Sequence, residues 1–245
     1  MQLYGLIGNP LGHSFSQKYF TQKFKNLGLL NSSYRNFETP AISEILPLLK
    51  QPEIRGLNVT IPFKQEILPF LNSSTESVKK TGSCNCIQVK NNEWIGHNTD
   101  ITGFQISLSH NLSPHHTKAL VLGSGGSSAS VEYVLQLMSI NYLVISRTKT
   151  GKNFITYDDL NENIIRDHTL IVNTTPLGMY PTVNAYPKIP YDFITPSHYL
   201  FDLIYNPAMT LFLQKGEEKG AMIKNGYDML TIQAEESWRI WNMDQ

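Results

Sequence analysis

Apolar and polar positions along this chain switch between two periods. Leu3–Gly8 is a short continuous apolar run, the pattern of a strand buried on both faces. Phe15, Tyr19, Phe20, Phe24 and Leu27 then recur at helical spacing. Tyr34–Phe37 predicts a second strand, and Ala41–Lys50 a second helix with Ile42, Ile45, Leu46 and Leu49 on one face. Leu57–Ile61 predicts a third strand, and Pro62 stands where a helix carrying Phe63, Ile67, Phe70 and Leu71 would begin. Cys84–Lys90 and Trp94–Gly96 predict a hairpin that turns at Asn91-Asn92.

The alternation restarts after residue 101, where Thr102-Gly103 is expected to open a connecting helix. Ala119–Leu122 is a fully apolar strand, Gly123–Gly126 a glycine turn, and Ser127–Met138 a helix. Tyr142–Ile145, Leu170–Asn173 and Tyr199–Leu203 read as further strands. Repeated β-α-β order implies mostly parallel sheets with helices on both faces, so the fold class is α/β in two units. Only 21 residues separate Thr148 from Leu170. That crossover is expected to be abbreviated.

The 245 residues allow one large domain or two small ones. Twenty Lys+Arg balance 20 Asp+Glu, which argues against nucleic acid or an anionic membrane as the partner. No run approaches the length of a membrane span, and Asn9-Pro10 ends the first apolar run without a basic region before it, so no secretory signal is expected. The two cysteines, Cys84 and Cys86, are expected on opposite faces, unpaired, as small apolar residues in a reducing cytoplasm. With so few ligands no metal site is expected; His115-His116 lies far from them in sequence.

Candidate chemistry gathers at the ends of the apolar runs. Gly123, Ser124, Gly125, Gly126 and Ser127 form a strand-to-helix turn of the kind that admits a pyrophosphate to free N–H groups. The next strand ends in Ser146, Arg147, Thr148 and Lys149, with no carboxylate to accept bonds from a ribose hydroxyl. A guanidinium there suits the 2′-phosphate of NADP. In the first half, Ser14 and Ser16 are two hydroxyls near a helix start, able to reach a carboxylate. Asn58 and Thr60 share a strand face, and Lys64 is expected on the first helical turn beyond, where a cation opposes the helix dipole and therefore needs a partner or a task. Asn85 lies at the start of the hairpin and Asp100 just beyond it, and Asp100 alone would read as a helix cap.

Together these segments resemble the shikimate dehydrogenase family. The resemblance runs through G-N-P-L-G-H-S-F-S, N-V-T-I-P-F-K, G-x-x-N, N-T-D-x-x-G-F, the glycine loop and S-R-T. It continues through Asn173–Met179, Asp202–Pro207 and Gly226–Ala234, covering nearly the whole chain. It implies NADP-dependent, reversible reduction of 3-dehydroshikimate to shikimate, a small-molecule substrate; the protein is expected in the cytoplasm, as a monomer or homodimer. It also implies a substrate domain, residues 1–101 completed by 227–245, and a Rossmann-like NADP domain, residues 102–226, with the active site in the cleft between them. Ser14 and Ser16 would hold the substrate carboxylate; Asn58, Thr60, Asn85, Asp100 and Gln233 the ring hydroxyls, with Tyr205 nearby. Lys64 and Asp100 would be the catalytic pair. Thr174, Thr175 and Pro176 join the cofactor-binding set, and Gly226 and Met229 would line the nicotinamide pocket. Ser146 and Ala129 depart from the family's usual Asn and Arg, Gly151 stands where a second arginine often grips the 2′-phosphate, and Asp228 replaces a frequent glycine. Two other readings are a quinate/shikimate dehydrogenase using NAD and a non-catalytic dinucleotide-binding module. Substrate and cofactor comparison separates the first, and binding without turnover would mark the second.

Overall fold

A computed structural model describes residues 1–12, 14–45, 47–48, 51–148 and 151–243. The chain divides into two compact units, Met1–Thr99 with Ala234–Gln245, and Asp100–Gln233. Both are α/β.

In the first unit β1 (Gln2–Gly8) lies parallel to both β2 (Ser32–Glu38) and β3 (Ile54–Val59). The hairpin β5 (Cys86–Lys90) and β6 (Glu93–His97) continues the sheet antiparallel, and the two-residue β4 (Ser73–Ser74) closes the order β2-β1-β3-β5-β6-β4. Asn91 and Asn92 turn the hairpin with φ of 52° and 62°, the left-handed pair that a two-residue turn demands. β1 is apolar throughout because both of its faces are covered. Leu3 and Ile7 pack with Leu57, Phe63 and Ile87, whereas Tyr4 and Leu6 pack with Phe20, Phe24 and Trp241. The second set comes from α1 (Phe15–Asn26) and the end of α7 (Tyr227–Trp241).

Two expected helices take other forms. Within 41–50 the described residues make a 3₁₀ turn, Ile42–Ile45; Leu46, Leu49 and Lys50 lie outside the described residues. From Pro62 to Leu71 the chain runs through successive turns ending in 3₁₀ at Leu68–Phe70, so Lys64 does not sit at the start of an α-helix. Pro69 lacks the N–H that a helical ladder needs there. The helix after the hairpin, α3 (Thr99–Ser109), starts earlier than expected, which puts Asp100 inside its first turn rather than before it.

Cys84 and Cys86 are buried free thiols in the clusters on opposite faces of the sheet. Residues two apart in a regular strand share a face. These do not, because β5 begins only at Cys86.

The second unit is an all-parallel sheet in the order β12-β11-β10-β7-β8-β9. The strands are β7 (Lys118–Leu122), β8 (Asn141–Ser146), β9 (Phe154–Thr156), β10 (Leu170–Asn173), β11 (Tyr199–Asp202) and β12 (Met222–Lys224). Val121, Val172 and Phe201 face a core with residues of α3, α4 (Gly126–Leu137) and α7. Leu120, Ile171 and Leu200 face the other, with residues of α5 (Glu162–Asp167) and α6 (Leu211–Glu217). The crossover after β8 is short: a three-residue β9, a 3₁₀ turn and a six-residue α5. From β7 the chain winds outward through β8 and β9, then returns to β10 on the other flank. The turn after β7 therefore lies at the point where strand order reverses, where doubly wound sheets bind ligands. The first unit also carries α2 (Glu76–Thr81). Among the described residues no helix is long and apolar enough to cross a membrane.

Candidate active site

In the first unit, β1 and β3 end side by side, with Ile7 opposite Val59 and the Thr60 N–H donating to the Ile7 carbonyl at 2.8 Å. Four predicted positions follow from that arrangement. Ser14 caps α1, its hydroxyl accepting from Gln17, and Ser16 is buried as the second residue of that helix. Thr60 follows β3, half-buried. Lys64 is half-buried in the turns beyond, its carbonyl accepting from the Cys84 N–H at 2.8 Å, which ties the lysine backbone to the segment carrying Asn85.

A buried relay joins several of these groups. Ser16 lies beside the Tyr34 hydroxyl, which donates to Oδ1 of Asn58 at 2.9 Å. Asn58 Nδ2 donates to Ser237 Oγ at 2.9 Å and to the Asn85 carbonyl at 3.3 Å. Ser237 meets Thr99 Oγ1 at 3.3 Å, and Thr99 holds the Asn85 carboxamide twice, through its N–H at 2.7 Å and its hydroxyl at 3.0 Å. Burial pushes the Tyr34 phenol well above its ordinary range, so it stays a neutral donor. Asn58 and Asn85 are thus joined in one network, with Ser16 beside it. Tyr34, Thr99 and Ser237 are members that sequence reasoning missed; the signals were a threonine inside N-T-D and a serine one helical turn after Gln233.

The second unit shapes the glycine turn. Gly123 has φ of +108°, and a Cβ there would stand 2.8 Å from Thr174 Oγ1, so no other residue fits without strain. Gly125 is the N-cap of α4 with no side-chain cap bond, and a Cβ on it would meet nothing within 4 Å. An uncapped start of a 12-residue helix with open space above it fits the pyrophosphate of a dinucleotide. Ser124 is exposed, and Gly126 and Ser127 open the helix. At the end of β8 the Ser146 hydroxyl donates to the Thr148 carbonyl, leaving Arg147 and Thr148 exposed. Lys149 lies outside the described residues.

The loops after β10 and β11 are bound to each other. Thr175 donates twice to Asn173 Oδ1, from its N–H at 3.0 Å and its hydroxyl at 2.7 Å, while Thr174 Oγ1 donates to the Leu122 carbonyl at 2.7 Å; Pro176, next in the loop, is exposed. Asn173 in turn donates to the buried Asp202 carboxylate, which also accepts from the Ile204 N–H and the Thr210 hydroxyl. Burial raises Asp202 to about 6 in spite of these donors. Tyr205 follows, half-buried. Gly226 packs so closely on this loop that a Cβ would sit 2.1 Å from the Leu203 carbonyl. Met229 is only 7% exposed and packs in the core with Phe104 and Phe201. Gln233 is buried, its amide donating to the Leu230 carbonyl at 3.0 Å. Asp100 is buried in the first turn of α3. Among the described residues no cluster of His, Cys, Asp or Glu could hold a metal ion.

A sequence model of the shikimate dehydrogenase substrate binding domain matches residues 6–87. The shikimate dehydrogenase (NADP(+)) of Clostridium beijerinckii is 36% identical over 259 aligned positions, covering 100% of this chain and 94% of that protein. The chain belongs to the shikimate dehydrogenase family. Two solved structures give the same answer for the fold. Shikimate dehydrogenase from Aquifex aeolicus superposes with a TM-score of 0.89 at 33% identity, covering 99% of this chain and 92% of that one. The Thermus thermophilus shikimate 5-dehydrogenase, solved in complex with NADP(H) and shikimate, gives 0.88 at 28%, covering 99% and 94%. As a shikimate dehydrogenase family member, the chain places the family's G-N-P-L-G and N-V-T-I-P-F-K segments at the paired ends of β1 and β3.

Proposed function

We propose that this chain is an NADP-dependent oxidoreductase that interconverts 3-dehydroshikimate and shikimate on the route to the aromatic amino acids. The observation that carries the reading is a relationship of 36% identity along the whole chain to a shikimate dehydrogenase (NADP(+)), in a protein that also has the uncapped glycine turn. Bound NADPH would supply the hydride for the ketone. Gly123, Ser124, Gly125, Gly126 and Ser127 would receive its pyrophosphate, and Ser146, Arg147, Thr148 and Lys149 its 2′-phosphate. Thr174, Thr175, Pro176, Gly226 and Met229 would complete that surface, although the core packing of Met229 limits it to a small exposed edge.

In the first unit, Ser14 and Ser16 would hold the substrate carboxylate by charge-assisted bonds. Asn58, Thr60, Asn85, Asp100 and Gln233, with Tyr205, would hold the ring hydroxyls. Negative charge builds on the ketone oxygen during reduction, and the Lys64 ammonium would donate the proton that completes the new hydroxyl. Asp100 would orient Lys64 and accept from the neighbouring hydroxyl. In this reading the first unit is the substrate-binding and catalytic domain, completed by the end of α7, and the second is the cofactor domain. The enzyme would act in the cytoplasm as a monomer or homodimer. Shikimate-dependent appearance of NADPH absorbance tests the proposal: saturable turnover supports it, and cofactor binding without turnover refutes it.

A further inference from the structure

The relay at the ends of β1 and β3 contains a hydroxyl with no part in the proposed chemistry. Ser237 is fully buried on the last helix, 179 residues from Asn58 in sequence, yet its Oγ accepts from Asn58 Nδ2 at 2.9 Å and meets Thr99 Oγ1 at 3.3 Å. The two ends of a carboxamide are nearly identical in shape, so its partners decide which way it faces. Tyr34 alone leaves that open for Asn58, because a phenol can donate or accept. The Asn85 carbonyl, which can only accept, fixes the side on which Nδ2 stands, and Ser237 Oγ takes the second N–H. Thr99 then fixes Asn85, accepting from its Nδ2 at 3.0 Å and donating its own N–H to Oδ1 at 2.7 Å.

We infer that Ser237 is a positioning residue, whose hydroxyl aligns the carboxamides of Asn58 and Asn85 for the ring hydroxyls of the substrate. The inference rests on the proposed roles of those two asparagines. Without Ser237 Oγ, one N–H of the buried Asn58 loses its acceptor, and the amide turns to find another. That turn loosens the Asn58 bond to the Asn85 carbonyl, which keeps the Val59 N–H at 2.9 Å, and removes the Ser237 contact from the Thr99 hydroxyl that holds Asn85. The last helix thereby acts on the substrate subsite through a residue that never touches the ligand.

The test is steady-state kinetics of full-length Ser237→Ala and Tyr34→Phe, with melting temperatures measured alongside. Ser237→Ala should raise KM for shikimate about tenfold, the effect of one buried hydrogen bond, and leave KM for NADP+ unchanged. Tyr34→Phe keeps the ring stacked on Phe20 at 4.7 Å and should shift the same KM in the same direction, and it decides the matter if Ser237→Ala does not fold. A lower melting temperature with both KM values unmoved would make Ser237 structural only and overturn the inference. So would parallel rises in both KM values. Wild-type protein that fails to turn over shikimate with NADP+ would refute the functional reading itself, whereas wild-type turnover with unshifted variants refutes only the role of Ser237.

Discussion

The Asn173 side-chain amide donates to Oδ1 of Asp202 across 3.0 Å, at the ends of two strands where those residues stand in register. One bond thus joins the loop of Thr174-Thr175-Pro176 to the loop of Tyr205, and the acid at its centre is 0% exposed. Both loops carry residues proposed to meet ligands.

That acid gives the protein a stability term with a defined pH window. Burial raises Asp202 from the ordinary 3.8 to about 6. Between those values the folded protein holds a proton that the unfolded chain has released, so this group stabilises the fold as pH falls through about 6. Its ionisation at neutral pH costs up to roughly 3 kcal/mol. Asp202→Asn should remove this dependence, so the Tm advantage of wild type over the variant should shrink as pH rises from 4 to 7, on the order of the 2-unit window. A pH-independent difference between the two melting curves contradicts the raised value.

Lys64→Ala should lower turnover by about 10²–10⁴-fold, the contribution of a positioned general acid. The lysine is half-buried and its backbone is fixed to Cys84, so loss of the ammonium should leave the fold intact. Circular dichroism and stopped turnover together check this; near-normal turnover removes Lys64 from the mechanism.

Arg147→Ala should weaken NADPH far more than NADH, because the exposed guanidinium is assigned to the 2′-phosphate that only NADPH carries. Equal losses in a direct binding titration would reject that assignment.

Gly123→Ala should weaken NADPH binding and lower Tm together. The added Cβ meets Thr174 Oγ1 at 2.8 Å and the backbone sits at φ of +108°, a strain of about 1–3 kcal/mol. Unchanged cofactor affinity in this variant would separate the turn from the cofactor site.

The strands were legible because burial on both faces leaves continuous apolar runs, as in β1 and β7, and the Asn91-Asn92 turn because only a left-handed pair closes that hairpin. The helices expected over 41–50 and 63–71 were not, because apolar spacing there is served by 3₁₀ turns and Pro69 interrupts the ladder. Asn58 and Asn85 stood out as polar residues near strand ends, and Ser16 as a hydroxyl near a helix start. Tyr34 and Ser237 did not, since each sits in a pattern of core residues, and their meaning depends on contacts between segments distant in the chain.

The most direct measurement uses NADPH carrying deuterium at both nicotinamide C4 positions with 3-dehydroshikimate, followed by mass spectrometry of the product. The expected product is shikimate carrying one transferred deuterium, formed by wild type and suppressed in Lys64→Ala. Shikimate without label, or no shikimate from wild-type protein that binds NADPH, would contradict it.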